Sequence, residues 1–131
     1  MGAKRVERVL VVGASGVLGR EVVSALKQRG GWVRGTSRDG LRVPAEADEA
    51  FAADVLDPQP LRAACEGIET VIHAAGASPV SLAFRFDRRG FQGVDTAGTG
   101  NLVAAAQEAG VQRFVYVSVA GASELAATPY V

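Results

Sequence analysis

Short apolar runs alternate with amphipathic segments along the chain. The amphipathic segments, in which apolar residues recur every three or four positions, predict helices over 17–29, 58–66 and 91–109. The apolar runs are rich in β-branched residues and predict strands over 8–12, 32–37, about 50–53, 70–74 and 113–119. Residues 77–90 follow neither pattern and predict a loop. Strands that alternate with helices in this way are typical of βαβ units in a parallel sheet.

Five parallel strands joined by right-handed crossovers predict an α/β fold, a doubly wound parallel sheet with the strand order 3-2-1-4-5. The length of 131 residues suits a single domain that spans residues 1–131. In such a sheet the ligand lies beyond the carboxyl ends of the strands, where the strand order reverses between the first and fourth strands. We therefore expect the functional residues to follow strands rather than precede them.

A glycine-rich turn joins the first predicted strand to the first helix. Its glycines have the spacing GxxGxxG, which allows a sharp exit from the strand, a close approach by a phosphate and close packing of the helix. The helix start offers unpaired N–H groups and a positive dipole end to the anion. A tight turn without a ligand is the alternative. We predict that this turn binds a pyrophosphate through Gly13, Ala14, Ser15, Gly16, Val17, Leu18 and Gly19.

The end of the second strand bears on the choice of dinucleotide. A site that prefers NAD has a carboxylate there for the ribose hydroxyls, whereas this strand reaches Ser37 and Arg38 without an acid. A guanidinium at this position grips a 2′-phosphate, with Ser37 in support. The sequence therefore favours NADP, with NAD possible. Asp39 leaves two alternatives open, because its carboxylate can neutralise Arg38 or contact the ribose itself.

Four segments together resemble the short-chain dehydrogenase/reductase superfamily: GASGVLG at 13–19, ADVLD at 53–57, VIHAAG at 71–76 and FVYVS at 114–118. They most resemble its extended and atypical branches, the NAD(P)-dependent epimerase/dehydratase-like proteins. The resemblance implies a Rossmann-type fold in which Asp54 and the backbone of Val55 contact the adenine. It further implies that Ala74, Ala75 and Gly76 line the cofactor.

Two residues near these segments have open roles. His73 precedes the alanines at the end of the fourth strand and is either a hydrogen-bonded structural histidine or a participant in proton transfer. Asp95 stands where the family usually carries an asparagine, so the role attributed to that asparagine is in doubt here. With one histidine and one cysteine, the sequence predicts no metal site.

The resemblance also implies a catalytic Ser, Tyr and Lys. Ser118 is the serine, although a shift of one residue places Val119 there, and Tyr130 is the tyrosine. The matching lysine would be residue 134. We therefore expect the cofactor-binding N-terminal half of an oxidoreductase or epimerase/dehydratase that acts on a carbonyl, hydroxyl or sugar substrate, inactive as given. A non-catalytic, NADP-binding redox-sensing module is the alternative.

The amino-acid composition indicates which kinds of binding partner to expect. The chain has 14 basic and 14 acidic residues, so it lacks the charge excess that nucleic acid or an anionic membrane attracts. It lacks a signal peptide and any apolar run long enough to span a membrane, and its single cysteine, Cys65, indicates a reducing compartment. These features predict a cytoplasmic protein with Cys65 as a buried apolar residue. An uncovered fifth strand predicts self-association.

Overall fold

The computed structural model describes residues 6–75 and 88–117, the latter as backbone only before residue 98. Strands and helices alternate through these ranges, as the hydrophobic pattern predicts, except that β3 follows β2 with no helix between them. In chain order they are β1 (Arg8–Val12), α1 (Val17–Gln28), β2 (Trp32–Ser37), β3 (Glu49–Ala52), α2 (Pro58–Ala64), β4 (Thr70–His73), α3 (Arg88–Ala109) and β5 (Arg113–Tyr116).

The five strands form one parallel sheet in the order β3-β2-β1-β4-β5. This order confirms the predicted Rossmann-type topology. The central strand β1 pairs with β2 on one side and with β4 on the other, so that Val12 lies beside Thr36 and His73. Because all pairs are parallel, the carboxyl ends of the strands meet at one edge of the sheet.

The core lies on both faces of the sheet because side chains alternate along each strand. Val9 and Val11 of β1 pack on the face that α1 covers, together with Val23 of that helix. Leu10 and Val12 belong to the opposite, larger cluster, to which α2 and α3 contribute. Full burial of a leucine such as Leu10 stabilises the fold by roughly 2 kcal/mol.

Helix α2 shows how local sequence defines an element here. Asp57 caps its N-terminus by accepting a hydrogen bond from the Gln59 N–H, and Pro58 occupies the first turn, where its missing N–H costs nothing. Cys65 follows the helix and is completely buried in the core. This confirms the prediction of a buried apolar residue. Burial raises the pKa of the Cys65 thiol to about 11.

Several predicted boundaries differ from the structure. Helix α3 already begins at Arg88, so residues 88–90 of the predicted loop are helical. The helix includes Gly90, since a helix of 22 residues tolerates a glycine that costs about 1 kcal/mol. Strand β5 is described up to Tyr116, one residue before the described range ends. Strand β4 ends at His73, one residue earlier than predicted.

The amino edge of the sheet, where the parallel strands begin, is closed by Arg34. This side chain is only 7% exposed, although it carries a charge. Its Nη1 donates to the carbonyl oxygens of Ala64 and Glu66 at 2.7 and 2.8 Å, and its Nε donates to Glu49 at 2.9 Å. The guanidinium thereby satisfies carbonyls at the C-terminal end of α2, where a positive charge is favourable.

Candidate functional site

The turns that follow β1 and β4 lie against each other. The N–H of Ala74 donates to the carbonyl of Val12 at 2.9 Å, which extends the pairing of the two strands. Gly13 has a φ of +83°, and a Cβ placed on it would lie 2.7 Å from the backbone of Ala75. Glycine is therefore required at position 13 both by conformation and by the close approach of a second chain segment.

The other two glycines of the turn differ in what surrounds them. A Cβ on Gly19 would lie 2.0 Å from the carbonyl oxygen of Gly13, so Gly19 lets the first turn of α1 pack directly on the end of β1. A Cβ on Gly16 would meet that same oxygen at an ordinary 3.5 Å, and Gly16 is exposed. Internal packing thus explains Gly13 and Gly19, whereas Gly16 presents bare backbone to the outside.

The backbone amides of this turn divide into two groups. Gly13 and Ala14 donate to the carbonyl of Thr36 at 3.1 and 2.8 Å, so these two residues shape the turn and their N–H groups are engaged. Among the described residues, the N–H groups of 17–19 at the start of α1 have no backbone acceptor. Gly16 caps this helix without a side chain, and its first turn carries no acidic residue. Unpaired donors at a positive helix end suit an anion.

The end of β2 leads into a tight turn in which Asp39 accepts hydrogen bonds from neighbouring residues. Asp39 accepts hydrogen bonds from the N–H of Leu41 at 2.9 Å and from the Ser37 hydroxyl at 3.3 Å, and the Ser37 hydroxyl also lies 2.7 Å from the carbonyl of Leu41. The Leu41 hydrogen bond is the main reason why the pKa of Asp39 is lowered. Arg38 is exposed and forms no ion pair with any described residue.

The segment after β3 is held from two directions. Asp54 accepts a hydrogen bond from the N–H of Leu56 at 2.9 Å, which folds the chain back on itself. Val55 is 8% exposed, and its carbonyl accepts a hydrogen bond from the side-chain amide of Asn101 at 2.9 Å. A Cβ on Gly98 would lie 2.5 Å from Val55 Cγ2, so α3 packs on this valine at glycine distance.

His73 is buried at the end of β4, with 3% of its surface exposed. Its Nε2 lies 3.0 Å from the hydroxyl of Thr99 in α3, and its ring meets the edges of Phe114 and Tyr116 in β5 at centroid distances of 6.3 and 5.3 Å. These contacts join β4, β5 and α3. They favour the structural alternative for this histidine.

The sequence correctly predicted that the segments after β1, β2, β3 and β4 meet at the carboxyl edge of the sheet. It did not predict every contact between these segments and α3. The role of Asn101 was not predicted, since its partner Val55 is 46 residues away in the chain. The signal that points to it is the GTGN run at 98–101, which places a small residue and an amide on one face of a helix, three positions apart. Gly76, Ser118 and Tyr130 lie outside the described residues, and for Asp95 only the backbone is described.

Comparison with known families agrees with this geometry. The sequence profile of a family described as NAD(P)H-binding matches residues 13–130. The chain belongs to this NAD(P)H-binding family. The match begins at the first glycine of the turn after β1 and covers most of the chain. It places the protein among NAD(P)H-binding proteins.

Individual relatives confirm the resemblance to short-chain dehydrogenases. The chain is 40% identical over 116 residues to a 3 beta-hydroxysteroid dehydrogenase/Delta 5-->4-isomerase of Mycobacterium tuberculosis, a match that covers 85% of the chain and 31% of that protein. It is 41% identical over 128 residues to cinnamoyl-CoA reductase 1 of Oryza sativa subsp. japonica, which covers 87% of the chain and 35% of the reductase.

A solved structure extends the comparison to the backbone. A short-chain dehydrogenase/reductase superfamily protein from Agrobacterium tumefaciens with bound NAD superimposes with a TM-score of 0.69 at 34% identity, over 86% of this chain and 32% of that one. The chain thus spans about a third of the length of the proteins that it matches.

The described residues were also compared with the requirements of a membrane-spanning helix and of a metal site. In the ranges 6–75 and 88–117, no helix combines the length and the apolar character that a membrane crossing requires. Within the same ranges, no three side chains of His, Cys, Asp or Glu come together as metal ligands.

Proposed function

We propose that this chain forms the cofactor half of an NADP-preferring oxidoreductase or epimerase/dehydratase of the short-chain type. Its membership of the NAD(P)H-binding family supports dinucleotide binding. The names of its relatives, a hydroxysteroid dehydrogenase and a cinnamoyl-CoA reductase, favour a carbonyl or hydroxyl substrate over a sugar. The preference for NADP and the residues that bind it are argued from the carboxyl edge of the sheet.

The start of α1 is the single observation that carries the proposal. The N–H groups of 17–19, which have no backbone acceptor among the described residues, and the bare backbone of Gly16 form a surface that an anion can approach closely. A pyrophosphate fits there because its charge is favourable at a helix N-terminus and no acidic side chain in the first turn opposes it. Ser15 lies on the same turn, where its hydroxyl is a further donor.

Arg38 carries the preference for the 2′-phosphate. The turn after β2 engages Asp39 with Leu41 and Ser37, and this leaves the Arg38 guanidinium exposed at the end of the strand. The same contacts give the Ser37 hydroxyl internal acceptors, so Arg38 is the stronger of the two candidates. A guanidinium grips a phosphate through paired, charge-assisted hydrogen bonds, which a ribose hydroxyl cannot offer in return.

The roles proposed for the reacting residues come from the resemblance to short-chain dehydrogenases/reductases. When bound, the nicotinamide supplies or accepts the hydride. Ser118 is proposed to polarise the substrate oxygen, and Tyr130 is proposed to exchange the proton at that oxygen. Both follow β5 in the sequence, and β5 ends at the same edge of the sheet as the glycine turn.

Titration of NADPH and NADH against the purified chain tests the proposal. NADPH should bind more tightly than NADH, and Arg38→Ala should reduce this preference by roughly 10- to 100-fold, as expected for the loss of a charged hydrogen bond. Arg29→Ala is the matched control, because it removes the same charge from the exposed residue that ends α1 at the opposite edge. An unchanged preference in Arg38→Ala would refute the 2′-phosphate assignment.

A second variant tests the pyrophosphate position. Gly16→Val should abolish the binding of both dinucleotides, since its side chain occupies the space that the phosphate needs. Helix content, measured by circular dichroism, should change little because a Cβ at this position meets only an ordinary contact. Full-strength binding by Gly16→Val would remove the pyrophosphate from the turn.

A further inference from the structure

One turn of α3 holds the ends of two neighbouring chain segments. Gly98 and Asn101 contact Val55 after β3, and Thr99 between them contacts His73 at the end of β4. Both segments begin at the carboxyl edge of the sheet, where β2 and β1 lie between β3 and β4. This turn of α3 therefore sets how far apart the two segments lie.

The contact with Val55 is made at two points. The side chain of Val55 fills the space that a Cβ on Gly98 would occupy, at 2.5 Å from Cγ2 and 3.0 Å from Cβ. Its carbonyl oxygen accepts the amide of Asn101 at 2.9 Å. Helix α3 therefore holds Val55 through its side chain and through the peptide group that joins Val55 to Leu56.

Two polar groups of this segment are candidates for contact with a ligand. One is the N–H of Val55, which makes no backbone hydrogen bond with the described residues. The other is the carboxylate of Asp54, whose Oδ1 accepts the N–H of Leu56 at 2.9 Å. That N–H belongs to the same peptide group as the Val55 carbonyl, so the group that Asn101 holds also orients the carboxylate. An acceptor next to a donor is the complement of the adenine edge, which offers an amino group and a ring nitrogen side by side.

We infer that Gly98 and Asn101 are positioning residues for adenine recognition: by holding the side chain and the carbonyl of Val55, they align the Val55 N–H and the Asp54 carboxylate with the edge of the base. This inference rests on the proposed binding of a dinucleotide. Neither residue touches the base itself. The expected consequence is selective, because the preference for adenine over other bases depends on this alignment while contacts with the phosphates do not.

The hypoxanthine analogue of NADPH is the probe, since its base exchanges the amino group for an oxygen and the ring acceptor for a donor. The unaltered chain should prefer NADPH to this analogue by about tenfold, the effect of one or two hydrogen bonds. Asn101→Asp keeps the size of the side chain but loses the hydrogen-bond donor. In this variant the ratio of the affinities for NADPH and for the analogue should fall close to one. Gly98→Ala should do the same by displacing Val55.

Gly100→Ala is the matched control for the glycine variant. Gly100 lies two positions further along α3, and a Cβ there meets nothing within 4 Å, so the adenine preference should be retained. Circular dichroism of Asn101→Asp should match that of the unaltered chain. Loss of its folded signal would overturn the inference, because Asn101 would then be a structural residue.

The remaining outcomes separate the two proposals. If the unaltered chain binds neither dinucleotide, the proposed function fails and the inference fails with it. If the unaltered chain binds NADPH with no preference over the analogue, the proposed function stands and adenine recognition at Val55 is wrong. A preference that persists in both Asn101→Asp and Gly98→Ala likewise overturns the positioning role while leaving dinucleotide binding intact.

Discussion

The two edges of the sheet use backbone polar groups in opposite ways. At the amino edge, the guanidinium of Arg34 satisfies two carbonyls at the end of α2 and also contacts Glu49. At the carboxyl edge, the described N–H groups at the start of α1 have no backbone acceptor, and Gly16 caps the helix without a side chain. One edge is closed by the protein's own charges, and the other keeps its donors available.

Aromatic stacking reinforces the closed edge. Arg8 lies over the ring of Trp32 at 3.7 Å, and its Nε donates to the carbonyl of Gly67 at 3.0 Å. Exposed large apolar side chains are more numerous at the open edge, with Val17, Leu18, Leu41 and Leu56, whereas Val6 is exposed just before β1 at the amino edge. Polar groups without partners beside exposed apolar surface are typical of a ligand site, whereas paired charges are typical of a stabilising one.

The largest expected loss of stability is at Gly19, the glycine at the carboxyl edge that lets α1 pack on the end of β1. Gly19→Ala should destabilise the fold by about 3 kcal/mol or more, because its Cβ would lie 2.0 Å from a backbone oxygen that cannot move aside cheaply. Gly16→Ala makes the same chemical change three residues earlier and should cost about 1 kcal/mol, the effect of a poorer helix cap. Urea denaturation measures both. Equal losses would mean that Gly16 is also a packing residue.

A smaller loss of stability, without loss of binding, is expected at the closed edge. Arg34→Met keeps the apolar stem and removes the donors to Ala64, Glu66 and Glu49, which should cost about 2–3 kcal/mol. NADPH affinity measured well below the unfolding transition should stay within about twofold, a change of less than 0.5 kcal/mol. A parallel fall in affinity and stability would show that the two edges are coupled.

The sequence predicted the parts of the site that depend on local rules. Gly13 and Gly19 were assigned to a turn and to close packing from their spacing alone, and the structure gives each a backbone neighbour that excludes a Cβ. The strand order follows from the handedness of crossovers, which holds for nearly every βαβ unit. Short-range pattern and general topology were sufficient for these features.

Contacts between distant segments were beyond that reasoning. The carbonyl of Thr36 accepts hydrogen bonds from the N–H groups of Gly13 and Ala14, so these two N–H groups stabilise the turn itself. Residue type alone left two roles open for Asp39, whereas the structure gives its carboxylate a hydrogen bond from the Leu41 N–H and, among the described ion pairs, none with Arg38. Such choices depend on side-chain orientation in a folded turn, and residue type does not determine that orientation.

The smallest effect is the pH dependence of a single pair at the closed edge. Partial burial opposes ionisation of Asp48, but hydrogen bonds from Lys27 and from the N–H of Val33, both at 2.8 Å, outweigh it and lower its pKa. The folded state therefore favours the ionised carboxylate. Its contribution to stability is complete above the ordinary carboxyl pKa of 3.8 and is lost as the pH falls through the lower value of the folded state.

Asp48→Asn should therefore reduce stability at pH 7 by about 1 kcal/mol or less, as is usual for a partly exposed pair. The difference between the variant and the unaltered chain should shrink as the pH falls below 3.8. Glu46→Gln, at an exposed position of the same connection, is the control for loss of one acidic charge. A difference that grows in acid would reverse the sign of the Asp48 contribution, and the Lys27 contact would then not stabilise the closed edge.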